Sequence, residues 1–173
     1  MAWEIELVQI VRGLIGDTDS TSYDYTNERL KDLILIAAQL VLGDATFGNS
    51  YTVDVDEITL TPDPTVTTKD NGFINLSCLK TACIILSSEW RTASKNAISF
   101  KDGPSSIDAK GVAAEKQALA KEACENYTDA LMQYRAGNAA AGEAIVGPHR
   151  YSDAQSEFRT HYRNGGDDGG YFS

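Results

Sequence analysis

The chain has 173 residues, of which 42% are hydrophobic and 23% are charged, and these values indicate one globular domain with tails rather than a disordered chain. Its formal net charge of −10 at pH 7 argues against a protein that grips nucleic acid, because phosphate contacts need clustered Lys and Arg. No run approaches the roughly 18 apolar residues of a transmembrane helix, so no membrane partner is expected.

Two helices are predicted in the first quarter of the chain. Apolar residues recur at three- and four-residue spacing from Trp3 to Ile15, and this pattern predicts the first helix. A polar loop follows from Asp17 to Tyr25, and Thr26 or Asn27 then caps a second helix that runs to about Leu42. Each helix has one apolar stripe, so both are expected to pack against a common core.

Two segments are predicted to be extended and not helical. Polar and apolar residues alternate from Tyr51 to Leu60, which predicts a strand with a slip or bulge near Glu57, and Pro62 ends it. The segment from Ile98 to Ile107 surrounds the dipeptide Asp102-Gly103, a typical hairpin turn. The two segments are expected to pair with each other or with neighbouring chains.

The stretch from Phe73 to Asn96 is predicted to be the central helix of the domain. Asp70 supplies cap chemistry before it, and Lys95 suits the negative end of the helix dipole. Apolar residues three or four positions apart form one face, which further apolar residues widen until little is left for water. The first set is Leu76, Leu79, Cys83, Leu86 and Trp90, and the second is Ile74, Ala82, Ile84, Ile85 and Ala93.

A last helix is predicted from Asp108 or Gly111 to Arg135, with Gly137 ending it. Its apolar line consists of Val112, Leu119, Ala120, Ala123, Tyr127, Leu131 and Tyr134. The predicted fold is therefore mainly α: a small helical bundle around a long buried central helix, with strand or hairpin segments and a long extended C-terminal arm. The helical domain spans residues 1–137, with extended loops at about 48–70 and 98–110, and the arm spans 138–173.

The arm has few apolar residues and no sustained helical stripe, so it is not expected to order itself. It is either a frayed end or a segment that folds onto a partner. Aromatic and arginine side chains, the types enriched in binding hot spots, favour the second interpretation. The candidate partner-binding residues are Arg150, Tyr151, Phe158, Arg159, Tyr162, Arg163, Tyr171 and Phe172.

Nothing in the sequence predicts catalysis, a cofactor or a metal site. The two histidines, His149 and His161, both lie in the arm, where no rigid catalytic base is expected. There is no dinucleotide fingerprint, no phosphate-binding loop and no CxxC pair. All three cysteines, at positions 78, 83 and 124, are expected to be buried free thiols in a reducing cytoplasm.

One combination of segments is similar to a known family. A Tyr-rich lead, YDYTNERLKDLILIAAQLV, opens a short helix; an extended acidic segment and a long buried helix follow. The segment ISFKDGPSSIDAKGVAAEKQALAKEACENYTDALMQYR then places an Asp-Gly loop directly before the last helix. From about Tyr23 to Arg135 this order resembles the head–tail adaptor (head-completion or connector) proteins of tailed bacteriophages.

The resemblance implies a structural virion protein without enzymatic activity. Such adaptors form a homo-oligomeric ring, usually twelve-fold, beneath the portal protein at the head–tail interface. They extend the DNA channel, help to retain the packaged genome and bind the next neck or tail-completion protein. The chain would be made in the host cytoplasm, and DNA would pass its acidic channel without specific binding. The arm would bind portal or a neighbouring subunit, and Phe100, Lys101, Asp102 and Gly103 would face the channel or an adjacent subunit.

Two other functions stay open at this point. Another neck or tail-completion protein of the same virion is expected to contain more strands than an adaptor. A small cytosolic helical binding module with a disordered interaction arm is expected to stay a monomer or dimer at every concentration. An enzyme is disfavoured, because the sequence shows no constellation of titratable groups.

Overall fold

The structure, a computed structural model, describes residues 2–66, 68–95, 100–102, 105–107 and 109–143. Within these residues there are four helices and two antiparallel hairpins, which confirms the prediction of a mainly helical fold. The helices are α1 (Ala2–Ile15), α2 (Asn27–Asp44), α3 (Asn71–Lys95) and α4 (Ala109–Glu143). The strands are β1 (Thr52–Asp54), β2 (Thr59–Thr61), β3 (Phe100–Asp102) and β4 (Ser105–Ile107). The chain divides into two units, one ending at Met132 and one beginning at Gln133.

The core of the first unit is built by α1, α2 and α3. Large side chains that are fully buried come from each of these helices and from β2, so the three helices share one hydrophobic centre. They are Trp3, Leu7, Val11, Leu30, Ile34, Leu35, Val41, Leu60, Phe73, Leu76 and Ile85.

The helix starts follow from cap chemistry, as predicted. Thr26 caps α2, and its side-chain oxygen accepts a hydrogen bond of 3.3 Å from the amide of Arg29. Asp70 does the same for α3, because its Oδ1 accepts a 3.0 Å bond from the amide of Phe73. The other oxygen of Asp70 accepts from the Tyr51 hydroxyl at 2.9 Å, so this cap also holds the loop before β1.

The buried face of the central helix α3 matches the predicted one only in part. The predicted residues that are buried are Ile74, Leu76, Ala82 and Ile85. The predicted residues that are only partly buried are Leu79, Cys83, Ile84, Leu86, Trp90 and Ala93. The helices α1 and α2 pack against one side of α3, and the buried residues of α3 lie on that side, mostly in its first half. These residues are Phe73, Ile74, Leu76, Ser77, Cys78, Thr81, Ala82 and Ile85.

The first extended segment is a hairpin rather than one strand, so the predicted slip near Glu57 is wrong. The Asp54 carboxylate accepts 3.0 Å hydrogen bonds from the amides of Asp56 and Glu57, which reverses the chain without a glycine. Ile58 completes the turn with a positive φ of 54°. Thr59 then returns opposite Asp54, so β1 and β2 pair with each other.

The second extended segment forms a hairpin, as predicted, in which β3 ends at Asp102 and β4 begins at Ser105. Phe100 pairs with Ile107, and Asp102 pairs with Ser105. After it, α4 continues past Gly137 to Glu143, so the prediction that Gly137 ends the helix is wrong. Residues 138–143, predicted as the start of the arm, are helical, and residues 144–173 lie outside the described part of the chain.

Candidate functional site

Side chains at three positions along the N-terminal part of α4, up to Met132, attach this segment to the core helices. Along α4 these are made by Lys116, Cys124 and Tyr127, and their partners are Glu89, Cys83 and Asp44. Between residues 111 and 132 the buried side chains of α4 are Ala120, Tyr127 and Leu131. This segment is therefore held by specific polar and covalent contacts as much as by hydrophobic burial.

The covalent contact is a disulfide between Cys83 of α3 and Cys124 of α4, whose Cα atoms are 4.7 Å apart. The prediction of three free thiols is therefore wrong for these two residues. Their sequence separation of 41 gave no sign of pairing, because spacing along the chain does not show which helices become neighbours. Cys78 is a buried free thiol, as predicted, and burial raises its pKa to about 12, with a smaller effect from Glu6.

Glu89 of α3 joins the loop before α2 to α4. Its two carboxylate oxygens accept hydrogen bonds from the Tyr25 hydroxyl at 2.6 Å and from the Lys116 ammonium at 3.0 Å. Burial alone would raise the pKa of Glu89, but these two hydrogen bonds and the Lys116 charge outweigh it and lower that pKa. Burial, with the nearby Glu89 carboxylate, raises the pKa of Tyr25. Tyr25 thus stays a hydrogen-bond donor at neutral pH.

Asp44 at the end of α2 makes the corresponding contact further along α4. It accepts hydrogen bonds from the Tyr127 hydroxyl at 2.6 Å and from the Lys80 ammonium at 3.3 Å. The Lys80 nitrogen also lies 4.3 Å from the centre of the Tyr127 ring, in cation–π geometry. Three helices therefore meet at one carboxylate.

A buried ion pair ties the loop after α1 to that helix. Arg12 and Asp17 are both buried and paired, and Arg12 also donates 2.8 Å hydrogen bonds to the Tyr25 carbonyl and to the Asn27 side chain. The Arg12 guanidinium lies 3.6 Å from the centre of the Tyr23 ring. With its charge and donors satisfied in this way, Arg12 serves to position the loop.

Exposed apolar side chains lie on three helices. Two pairs have the four-residue spacing that puts both members on one helix face: Ile10 and Leu14 on α1, and Ile36 and Leu40 on α2. We call the second pair the α2 stripe; its members are 40% and 47% exposed. Further exposed residues are Ile5 on α1 and Val112, Leu119 and Met132 on α4.

Two of these exposed residues contradict the predicted burial of α4. Val112 and Leu119 are 52% and 53% exposed, whereas the prediction holds for Ala120, Tyr127 and Leu131. The buried line is narrower than the apolar pattern of the helix, because α4 contacts the core along one narrow face only. Helical spacing places Ile36 and Leu40 off the buried face of α2, which includes Leu30, Ile34, Ala37 and Val41.

The predicted interface residues lie largely outside the described part of the chain. Phe100, Lys101 and Asp102 form β3, while Gly103 and the arm candidates are among the residues that are not described. Those arm residues are Arg150, Tyr151, Phe158, Arg159, Tyr162, Arg163, Tyr171 and Phe172. The structure therefore leaves the predicted contacts of this set untested.

Within the described residues, no group of three or more His, Cys, Asp or Glu side chains is arranged to hold a metal ion. No helix in that part of the chain is long and apolar enough to cross a membrane. Comparisons of the chain with family models, with curated proteins and with solved structures give no match.

Proposed function

We propose that this protein is a head–tail adaptor of a tailed bacteriophage, a structural subunit that forms a ring beneath the portal and connects the capsid to the neck or tail. The observation that carries the proposal is the presence of exposed apolar pairs on α1 and α2, at Ile10 and Leu14 and in the α2 stripe. The order of elements from Tyr23 to Arg135 resembles that of head–tail adaptors, and for this reason we interpret the exposed pairs as contacts between ring subunits.

Exposed apolar pairs are what a ring subunit needs. Subunits in a ring meet head to tail, so each one must present different surfaces to its two neighbours. Burying a Leu or Ile side chain fully contributes roughly 1.5–3 kcal/mol, and a half-exposed one about half of that, at every interface of the ring. The α2 stripe, the α1 pair and the exposed apolar residues of α4 supply such contacts on separate helices.

The helical content of the chain supports an adaptor over the strand-rich neck proteins. The β3–β4 hairpin joins α3 to α4, and its residues Phe100 to Gly103 would face the channel or an adjacent subunit. The arm, through Tyr151, Phe158 and Tyr162, would bind portal or a neighbouring subunit. The net charge of −10 would let DNA pass without being held.

The test is mass photometry of the full chain, alone and mixed with candidate portal. We expect either a species of ring size or a portal complex that gains about one subunit per portal chain. The double variant Ile36→Gln/Leu40→Gln should lower the population of that species about tenfold or more, since each interface loses apolar burial. Gln39→Ala, an exposed polar change on the same helix, is the matched control and should assemble normally.

A chain that remains monomeric and ignores portal would overturn the proposal in favour of a helical binding module. The arm and the hairpin have their own tests. Deletion of residues 148–173 should leave the helical content unchanged and abolish portal binding. Replacing residues 100–105 with a short Gly linker should impair ring assembly or DNA retention. Unchanged binding or assembly would show that these segments are not the contacts.

A further inference from the structure

We propose that the Cys83–Cys124 disulfide is a reversible redox lock that decides whether the N-terminal part of α4, up to Met132, stays docked on α3. The lock does not depend on the proposed adaptor function, since it concerns the docking of one helix within the chain. Thiols would prevail in a reducing compartment and the disulfide in an oxidising one.

The position of the disulfide gives it this control. Cys124 lies between Lys116 and Tyr127, so the covalent contact is in the middle of the attached segment. The two flanking contacts are partly exposed, since the Glu89 and Asp44 side chains are 30% and 38% accessible. Exposed polar contacts of this kind are individually weak. With the disulfide open, this segment of α4 depends on these weak contacts and on the burial of Ala120, Tyr127 and Leu131, so it should detach from α3 more often.

The packing of α1, α2 and α3 against one another does not depend on the disulfide. Their large buried side chains belong to residues 3–85, and α1, α2 and α3 bury them against one another. Reduction should therefore release α4 locally and leave α1 and α2 intact. Both cysteines are only partly buried, so a local opening of α4 is enough to admit a small thiol or disulfide, without unfolding of the core.

The chemistry balances with a small disulfide such as oxidised glutathione as the oxidant. A thiolate of Cys83 or Cys124 attacks one glutathione sulfur, a mixed disulfide forms, and one glutathione thiolate leaves. The second cysteine thiolate attacks the protein sulfur of the mixed disulfide, forms the Cys83–Cys124 bond and expels the second glutathione. Two protein thiols are oxidised, one small disulfide is reduced to two thiols, and the two protons pass to the released thiolates. A dithiol reductant opens the bond again: one of its thiolates attacks a protein sulfur and releases one cysteine thiolate, and its second thiolate then releases the other cysteine and closes a cyclic disulfide.

The experiment is hydrogen–deuterium exchange on the full chain, in oxidised glutathione and in a dithiol reductant. Without the disulfide, we expect amide exchange across residues 113–132 to become at least tenfold faster, because closed loops of about 40 residues strongly restrict opening. Exchange in α1 and α2 should change little. Returning the protein to oxidised glutathione should restore the slow exchange of α4.

Two variants control the measurement. Cys83→Ser/Cys124→Ser should show fast α4 exchange in both media, and Cys78→Ala should respond to reductant as the unchanged chain does. Three free thiols after incubation with oxidised glutathione would overturn the proposal, because no lock would exist. Unchanged α4 exchange on reduction would overturn it too. Equal acceleration from α1 through α4 would show a staple of the whole domain instead of a lock on one helix.

Discussion

The hydroxyl of Tyr127 on α4 donates a hydrogen bond of 2.6 Å to Asp44, the last residue of α2, across 83 residues of sequence. Tyr127→Phe keeps the buried ring and removes this bond. We expect a loss of about 1 kcal/mol in the free energy of unfolding, measured in urea, as for a typical hydrogen bond. A double-mutant cycle with Asp44→Ala, which removes the acceptor, should show positive coupling. Additive effects would mean that the contact contributes nothing to stability.

Removing the buried guanidinium of Arg12 should be much more costly. Arg12→Met leaves the Asp17 carboxylate buried without its cation, and such changes cost about 3–5 kcal/mol. Arg29→Met removes a cation from an exposed position 5.1 Å from the Tyr25 ring centre and should cost less than about 1 kcal/mol. Urea unfolding of the two variants gives the comparison. Equal losses would contradict the assignment of Arg12 as the group that positions the loop.

The Glu89 contact should make stability depend on pH in the acid range. Its folded-state pKa lies below the ordinary 4.5, so its contribution is complete above that value and is lost as the pH falls through the folded-state pKa. Glu89→Gln should therefore destabilise the chain at pH 7, by about 1 kcal/mol after solvent screening. The difference in free energy of unfolding between Glu89→Gln and the unchanged chain should shrink progressively as the pH falls below 4.5.

Glu122→Gln, an exposed change on α4, controls for the general effect of removing a carboxylate. A Glu89→Gln deficit that stays constant with falling pH would contradict an ionised, hydrogen-bonded Glu89.

The thiol of Cys78 should be unreactive while the chain is folded. Its side chain is fully buried and its pKa is raised to about 12, so almost no thiolate is present at neutral pH. Alkylation of the oxidised protein should modify no cysteine in native buffer and only Cys78 in denaturant. Mass spectrometry counts the modified sites. Labelling of Cys78 in native buffer would show that the space between α1 and α3 opens readily.

The sequence predicted the helices well where one signal was strong. Thr26 and Asp70 cap α2 and α3 as expected, because a cap needs only the residue itself and the next three amides. The predicted end of α4 failed, because the residues around it have opposite effects on helix stability. Gly137 costs a helix about 1 kcal/mol, and the alanines after it are good helix formers, so α4 continues.

The turn at Asp54 was missed because it uses a side-chain carboxylate instead of a glycine, so the alternating pattern of residues 51–60 predicted one strand.

Contacts between distant segments were harder to predict. The Cys83–Cys124 disulfide and the exposure of Leu119 both depend on where α4 lies against α3. Periodicity identifies the apolar face of a helix. How much of that face is buried depends on the helix that packs against it.

The location of the core within residues 3–85 has a consequence for how the protein is made. The chain leaves the ribosome from its N-terminus, so α1, α2 and α3 can bury their shared side chains while α4 is still being synthesised. Cys83 is then already held in a folded helix when Cys124 emerges. A disulfide that forms at this stage therefore joins Cys124 to a Cys83 that is already in its native helix, while Cys78 is buried in the core.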